Sequence, residues 1–457
     1  MKKITTFADL KDIKGRNINR MIYNQLTHLN KKVLASLGLF LTFFASFLPT
    51  THAQTIVNSP LSYIGMGELY TSDTPSNSMM GGIGVSNTNG IYANQINPAL
   101  LVRNHYTMFE VGVNTELKNM QDFRQRQQVL GGNYQSVNLT VPVIPTRWTM
   151  SFGVRPYSTV NYETRSYRRL NVLGVDSLLY TYKGDGGVSK LTISNGVRIG
   201  KELYVGLEMG FLFGAVNRNV GTQNLSDGQY YKVQLENQAH YGDVTFKVGT
   251  AWRKVLKNDI VLNLGATMDL SPSLNGKILK RFVTYDLGGL NVINSDTLVK
   301  SQSFTQQLPV ASRVGFSIER LAHWMIGMDY VRTDWSKVDN NLGRSSVLPV
   351  SQQISIGAEF TPDFESISNY FKRVTYRVGV TQISTPYDFA GNGKYAKDQS
   401  VSMGVALPLR NFLNYVNISY QIGRRGLLAD NLLEEQYHRV TLGLTLGDIW
   451  FRKIKID

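Results

Sequence analysis

Outside its first 53 residues the chain carries four histidines, His105, His240, His323 and His438, and it has no cysteine at all. Disulfides, zinc–thiolate clusters and thiol nucleophiles are therefore excluded. A histidine working as a general base needs a nucleophile and an orienting acid within reach. Only His240 has an acid close by, Asp243, and no G-x-S-x-G elbow occurs anywhere. The run GGIGVSNTNG fails the dinucleotide fingerprint because Asn87 stands where the third glycine is required. No metal-ligand spacing appears, so neither a metal nor a cofactor is expected, and the residue types point away from an enzyme.

The charged residues follow a different pattern. Glu110, Arg155, Arg198, Glu208, Asp243, Lys247, Asp269, Arg313, Glu319, Asp329, Glu359 and Arg377 occur singly, each within a run that alternates apolar and polar residues. In LYVGLEMGFLFG the apolar set is Leu203, Val205, Leu207, Met209, Phe211 and Phe213, and the other set includes Glu208, Gly210 and Leu212. A strand sends successive side chains to opposite faces, so each run has one apolar face and one polar or glycine face. RWTMSFGVR, VNISYQIG and VTLGLTLG repeat the pattern. Asn195 interrupts the apolar set of its own run. The sequons at Asn138 and Asn417 lie inside such runs and are set aside.

Fourteen runs begin near residues 106, 136, 147, 190, 203, 240, 260, 311, 323, 352, 373, 399, 414 and 437. The connections between them alternate long and short. Residues 117–135, 157–189, 215–239 and 271–310 read as long loops, and 144–146, 200–202 and 320–322 as tight turns. Long loops at one end and tight turns at the other are the pattern of an outer-membrane barrel. Hydrocarbon offers no partner to an unpaired edge, so the sheet must close. A β-sandwich would not sort its loops by length, and a propeller would show a repeat near 40 residues. The expected fold is all-β: a 14-stranded antiparallel transmembrane barrel with an N-terminal hatch. On this reading Met209, Phe211 and Phe213 face lipid while Glu208 and Gly210 face the lumen. A barrel this wide needs filling.

Ahead of the first run stands YANQINPALL, residues Tyr92 to Leu101, in a glycine- and asparagine-rich stretch. Proline removes a ladder donor and drives the residue before it toward an extended conformation, while Asn97 can satisfy local backbone groups. The segment reads as a turn-back inside a plug, the alternative being an ordinary loop proline. Asn97-Pro98-Ala99, together with Leu308-Pro309, Asp329-Tyr330 and Trp335-Ser336 in LPVASRVGFSIERLAHWMIGMDYVRTDWSKV, resembles the FadL/TodX family of outer-membrane transporters. The closing DIWFRKIKID is similar to the tails of FadL-like barrels in Bacteroidota. The resemblance covers residues 54–457. It implies a hatch carrying Asn97, Pro98 and Ala99, a hairpin motif with Asp329, Tyr330 and Trp335, and passive uptake of hydrophobic molecules such as long-chain fatty acids. Some FadL-like barrels serve type IX secretion as shuttles or partner subunits, which is the alternative function. For an apolar acid, the inward Arg155, Arg198, Arg313 and Arg377 are the candidates to receive its carboxylate.

The longest apolar run, Val33 to Leu48, follows Lys31 and Lys32 and is short for a spanning helix of about 20 residues. It reads as the core of a signal peptide, residues 1–53, cut before Gln54, with Met21 as a second candidate start. Residues 54–104 are then the hatch and 105–457 the barrel. The formal charge of +15 includes eight Lys/Arg and two acids within residues 1–53, so +9 remains on the mature chain. Those charges are scattered and form no arginine-rich stripe, so no nucleic-acid partner is expected. The expected partners are hydrophobic molecules and outer-membrane lipid, and the expected state is a monomer.

Overall fold

The computed structural model describes residues 59–449, apart from 71–73, 173–174, 226–231, 271–272, 287–290, 339–347, 389–392, 410–412 and 432. The leader and the last eight residues lie outside the described residues. A short strand β1 (Glu68–Leu69) precedes β2 (Thr107–Gln121), β3 (Arg126–Ile144), β4 (Trp148–Val172), β5 (Val175–Ile199), β6 (Leu203–Asn224) and β7 (Lys232–Val255). Next come β8 (Ile260–Asp269), β9 (Ser273–Tyr285), β10 (Val292–Gln307), β11 (Val310–Arg320) and β12 (Trp324–Asp334). The last are β13 (Ser351–Phe360), β14 (Thr375–Ser384), β15 (Lys397–Pro408), β16 (Tyr415–Arg425) and β17 (Glu434–Asp448).

Fourteen of these are staves of one closed antiparallel barrel. They run β2 to β8 and then β11 to β17, with β8 paired directly to β11 and β17 closing onto β2 from Glu434↔Gln121 to Asp448↔Thr107. The alternation sorts as expected: Met209, Phe211 and Phe213 are 44, 43 and 41% exposed on the outer face, whereas Glu208 and Leu212 are fully buried within. Asn195, the break in its strand's outward set, accepts a hydrogen bond from Trp148 Nε1 of the neighbouring strand at 3.1 Å. Its polarity is thereby answered without water.

The segments read as long loops are not loops. β4 to β7 continue for 22 to 25 residues, well past the apolar belt. Within 271–310, Ser273–Tyr285 and Val292–Gln307 form the ribbon β9–β10, whose β9 pairs along the upper half of β7 from Lys232↔Tyr285 to Tyr241↔Gly276. Alternation marks a strand only where one face meets lipid. Above the bilayer both faces are polar, so the period-2 signal fades while the ladder continues.

This arrangement fixes the cost of a misplaced charge. Phe211→Arg should lower barrel stability by about 2–4 kcal/mol, as expected for arginine at the membrane midplane. Gly210 is a poor lumen comparator, because a Cβ there would lie 2.1 Å from Lys190 Cε. Gln353→Arg, at a half-buried lumen position beside the main cavity, should change folding yield little. Urea titrations of the three refolded proteins check this ordering.

Candidate functional site in the barrel lumen

Residues 59–104 lie inside the ring, and the wall is carved to receive them. Gly112, Gly196, Gly206, Gly249, Gly265, Gly315, Gly357 and Gly379 all face the segment. A Cβ on Gly206 would stand 2.2 Å from Ala99 N, one on Gly265 1.9 Å from Val85 O, and one on Gly379 2.1 Å from Met80 C. Many are register neighbours, as in Gly196↔Gly206↔Gly249 and Gly265↔Gly315. Much of the chain's glycine content is thus a belt of bare backbone at one height, where a second backbone approaches.

Asn97 uses its whole amide. It caps the 3-10 helix Pro98–Arg103, accepting from Ala99 N at 3.1 Å. Its Nδ2 donates to Val85 O at 2.8 Å and to Thr250 O of β7 at 3.0 Å. Pro98 occupies the first helical position, where a missing N–H costs nothing, and holds Asn97 extended at φ −117°. Asp329 supplies the matching anchor: its Oδ2 accepts from Gly84 N at 2.7 Å and Val85 N at 2.9 Å. Tyr330 turns to the outer face. Trp335 is buried with Ile64, Val338, Leu348 and Tyr387. Thr88 to Glu319, Asn89 to Glu359 and Gly81 N to Ser402 add further ties around the ring.

The four candidate arginines do not converge. Arg155 donates to Glu208 at 3.0 Å, and the same carboxylate meets Lys190 at 2.7 Å and Lys247 at 3.5 Å. Arg313 pairs with Asp269 at 3.3 Å. Arg155 and Arg313 line one cavity of roughly 230 Å³, with Lys190, Lys247, Tyr157 and Leu308. Arg377 lies elsewhere: it pairs with Glu359 at 3.0 Å and stacks 4.5 Å from the Tyr92 ring centroid, holding the N-terminal segment. Arg198 is at the tight-turn rim, donating to Gly200 O, because β5 ends one residue later. On this side of the cavity Arg155, Lys190 and Lys247 share the Glu208 carboxylate and Arg313 pairs with Asp269, while Glu68, Asp329, Asp398 and Arg425 line the rest. The Nη1 of buried Arg155 has no hydrogen-bond partner among the described residues. His240 and Asp243 do not form a pair, because the Asp243 carboxylate accepts from Asn275 N at 3.0 Å and Asn275 Nδ2 at 2.8 Å.

Sequence reasoning overlooked a second charge cluster. Lys118 lies 3.3 Å from Glu116, 3.6 Å from Glu435 and 3.9 Å from Glu68. Arg425 bridges Glu68 at 2.7 Å and Asp398 at 2.9 Å. Burial works to raise the Glu68 carboxyl, but the charges of Arg425 and Lys118 outweigh it and hold the group well below the usual carboxylate range. Only the register of β2, β15, β16 and β17 assembles these groups, and spacing does not reveal it.

At one place among the described residues two wall strands part while both continue. β3 and β4 pair only from Val137↔Val154 to Ile144↔Trp148. Above that, β3 stays with β2 and β4 with β5, and β1 lies along the freed edge of β4 through Glu68↔Thr159 and Leu69↔Ser158. Pro156, two residues past the last pair, brings no ladder donor to the parting strands. A cavity of roughly 170 Å³ reaches this seam between Gly131, Gly132, Asn133 and Thr159. Proline within a strand run was the available signal for it.

Solved structures share this architecture. The CymD monoaromatic hydrocarbon channel is similar over 86% of this chain and 100% of its own, at 13% identity and TM-score 0.52. A Pseudomonas aeruginosa FadL homologue covers 84% and 99%, at 13% identity and TM-score 0.52. The Pseudomonas putida toluene transporter TodX covers 84% and 100%, at 13% identity and TM-score 0.53. At these identities the likeness is one of fold, a FadL-like barrel. No curated protein matches the chain in sequence. The BamG family model, by contrast, matches residues 33–457, nearly the whole chain. On that match, the chain belongs to the BamG family.

Proposed function

We propose that this protein is an outer-membrane channel for passive passage of hydrophobic molecules, which leave the lumen sideways between β3 and β4 at the outer margin of the apolar belt. The observation carrying this reading is the parting of β3 from β4 above Val137↔Val154, which an inner cavity reaches from within. Residues 54–104, after a cleaved leader of residues 1–53, act as the plug of the barrel 105–457, and Asn97, Pro98 and Ala99 hold it to the wall. For an amphiphilic acid such as a long-chain fatty acid, Arg155 and Arg313 receive the carboxylate, since guanidinium matches it bidentately. Arg198 and Arg377 are left out of this role by their positions. No enzymatic chemistry enters the reading.

A second reading, a partner subunit of a secretion or other outer-membrane machine, is favoured by the sheet that β4 to β7, β9 and β10 raise above the belt. The first seven residues of β10 are all exposed, and an uncovered edge strand is a template for pairing. Both readings are tested in a deletion strain carrying wild-type protein or Gly132→Phe, which obstructs the seam. Channel function requires uptake of a labelled long-chain acid to fall by about tenfold or more with Gly132→Phe, and with deletion. Unchanged uptake on deletion, with an altered set of secreted or outer-membrane proteins, selects the partner-subunit reading.

A further inference from the structure

Connections on the tight-turn rim run three to six residues, except the one between β13 and β14, residues 361–374. That connection is firmly built. Asp363 N donates to Lys372 O at 2.8 Å, and Asn369 caps the one-turn helix Tyr370–Arg373 by accepting from Phe371 N at 3.0 Å. Thr361 and Thr375 hydroxyls bond across its base at 2.8 Å. Yet it presents apolar side chains to its surroundings: Ile367 is 98% exposed and Phe371 71%. The placement explains why. Tyr376 points outward from β14, in register with outward Phe360, and its hydroxyl donates to Phe371 O at 3.3 Å. The connection therefore folds over the lipid side of the rim and away from the lumen, continuing the apolar belt.

The charges nearby suit the same occupant. The Arg373 guanidinium lies 5.4 Å from the Tyr370 ring centroid, and Lys372 is exposed beside Phe371. Arg320 and His323 are exposed at the adjoining β11–β12 turn, and Arg147, Lys201, Lys254 and Lys257 on turns farther round this rim, against the exposed acids Asp259, Glu365 and Asp448. Apolar side chains beside exposed cations are the composition of a surface that lies in a headgroup layer.

We infer that residues 361–374 are a membrane foot, seated on the phospholipid leaflet at the tight-turn rim, with Ile367 and Phe371 in the acyl boundary and the rim cations on anionic headgroups. The inference is independent of what passes through the barrel.

Because the chain has no cysteine, single sites can be labelled cleanly. Ile367→Cys carrying a bimane is reconstituted in phosphatidylethanolamine–phosphatidylglycerol vesicles, with Arg124→Cys at the far hairpin tip and Ile356→Cys in the belt as references. Iodide quenching at position 367 should be at least about threefold weaker than at position 124, with quenching by spin-labelled lipid comparable to position 356. Phe371→Cys should behave alike. Iodide access equal to position 124 at both sites overturns the proposal. So does a label protected in native outer membranes but open to iodide in pure lipid, which would assign the surface to a protein partner.

Discussion

Gly206→Val should give a barrel that still folds but no longer holds its N-terminal segment. The added Cβ would stand 2.2 Å from Ala99 N and 2.3 Å from Pro98 C. Both are backbone atoms of a capped turn, so no flexible side chain can yield. Overpacking of this kind costs typically about 1–3 kcal/mol, and more when backbone must move. The barrel itself has little to lose, because valine suits a strand better than glycine does. The strain therefore falls on the docking of Pro98–Arg103, and with it on the bonds of Asn97. The expected result is ohmic conductance in planar bilayers where the wild type is closed, together with new trypsin cleavage at Arg103. Gly242→Val is the control: nothing lies within 4 Å of a Cβ there, and both readouts should stay at wild-type values. A closed, protease-resistant Gly206→Val barrel would contradict the placement of the segment against β6.

Asn97→Ala should be nearly as damaging through loss of bonds instead of gain of bulk. Two buried groups, Ala99 N and Val85 O, lose this partner at once, and the part-buried bond to Thr250 O of β7 goes with them. Each orphaned group costs about 1–3 kcal/mol, so undocking of the segment should be eased by on the order of 3–5 kcal/mol. Asn97→Asp separates the two jobs of the side chain. Aspartate remains a good cap for Ala99 N but cannot donate to either carbonyl. If the tie to the wall is what holds the plug, Asp and Ala should both show noisy conductance and impaired uptake of a labelled long-chain acid. Behaviour of Asp like wild type would reduce the residue to a helix cap. Circular dichroism and heat-modifiable migration should remain those of a folded barrel in either variant, since Asn97 is not in the ladder.

Much of the fold was legible because a lipid-facing strand has no freedom in its pattern. Met209, Phe211 and Phe213 must be apolar in turn, and that rule alone located fourteen staves. The same rule failed at 157–189 and 271–310, where both faces of the strand are polar and pairing continues without a hydrophobic signature. The site was less legible. Asn97 and Asp329 could be picked out by type and motif, but their partners, Thr250 on β7 and the Gly84 and Val85 amides, depend on how a coil threads the ring. Face assignment correctly turned Arg155, Arg313 and Arg377 inward. It does not report height along the strand, so Arg198 was grouped with them although it sits at the rim. Lys118, Glu116, Arg425 and Glu435 meet through register among three strands, which periodicity cannot supply.

The β3–β4 junction also bears on how the ring gives way under load. It is held by seven paired positions, against nine at β7–β8, β8–β11 and β13–β14 and twenty-two at the adjoining β4–β5 contact. A closed sheet shares mechanical tension around its circumference, and rupture begins where the fewest bonds act in parallel. Pulling on this protein, or crowding it laterally in a stretched membrane, would concentrate the deformation on that line. From inside, β1 pairs with the β4 edge through Glu68 and Leu69, and the next residue, Tyr70, accepts from Asn133 Nδ2 of β3 at 3.1 Å. The N-terminal segment thus acts as a splint, and a barrel stripped of it should be softer along this line.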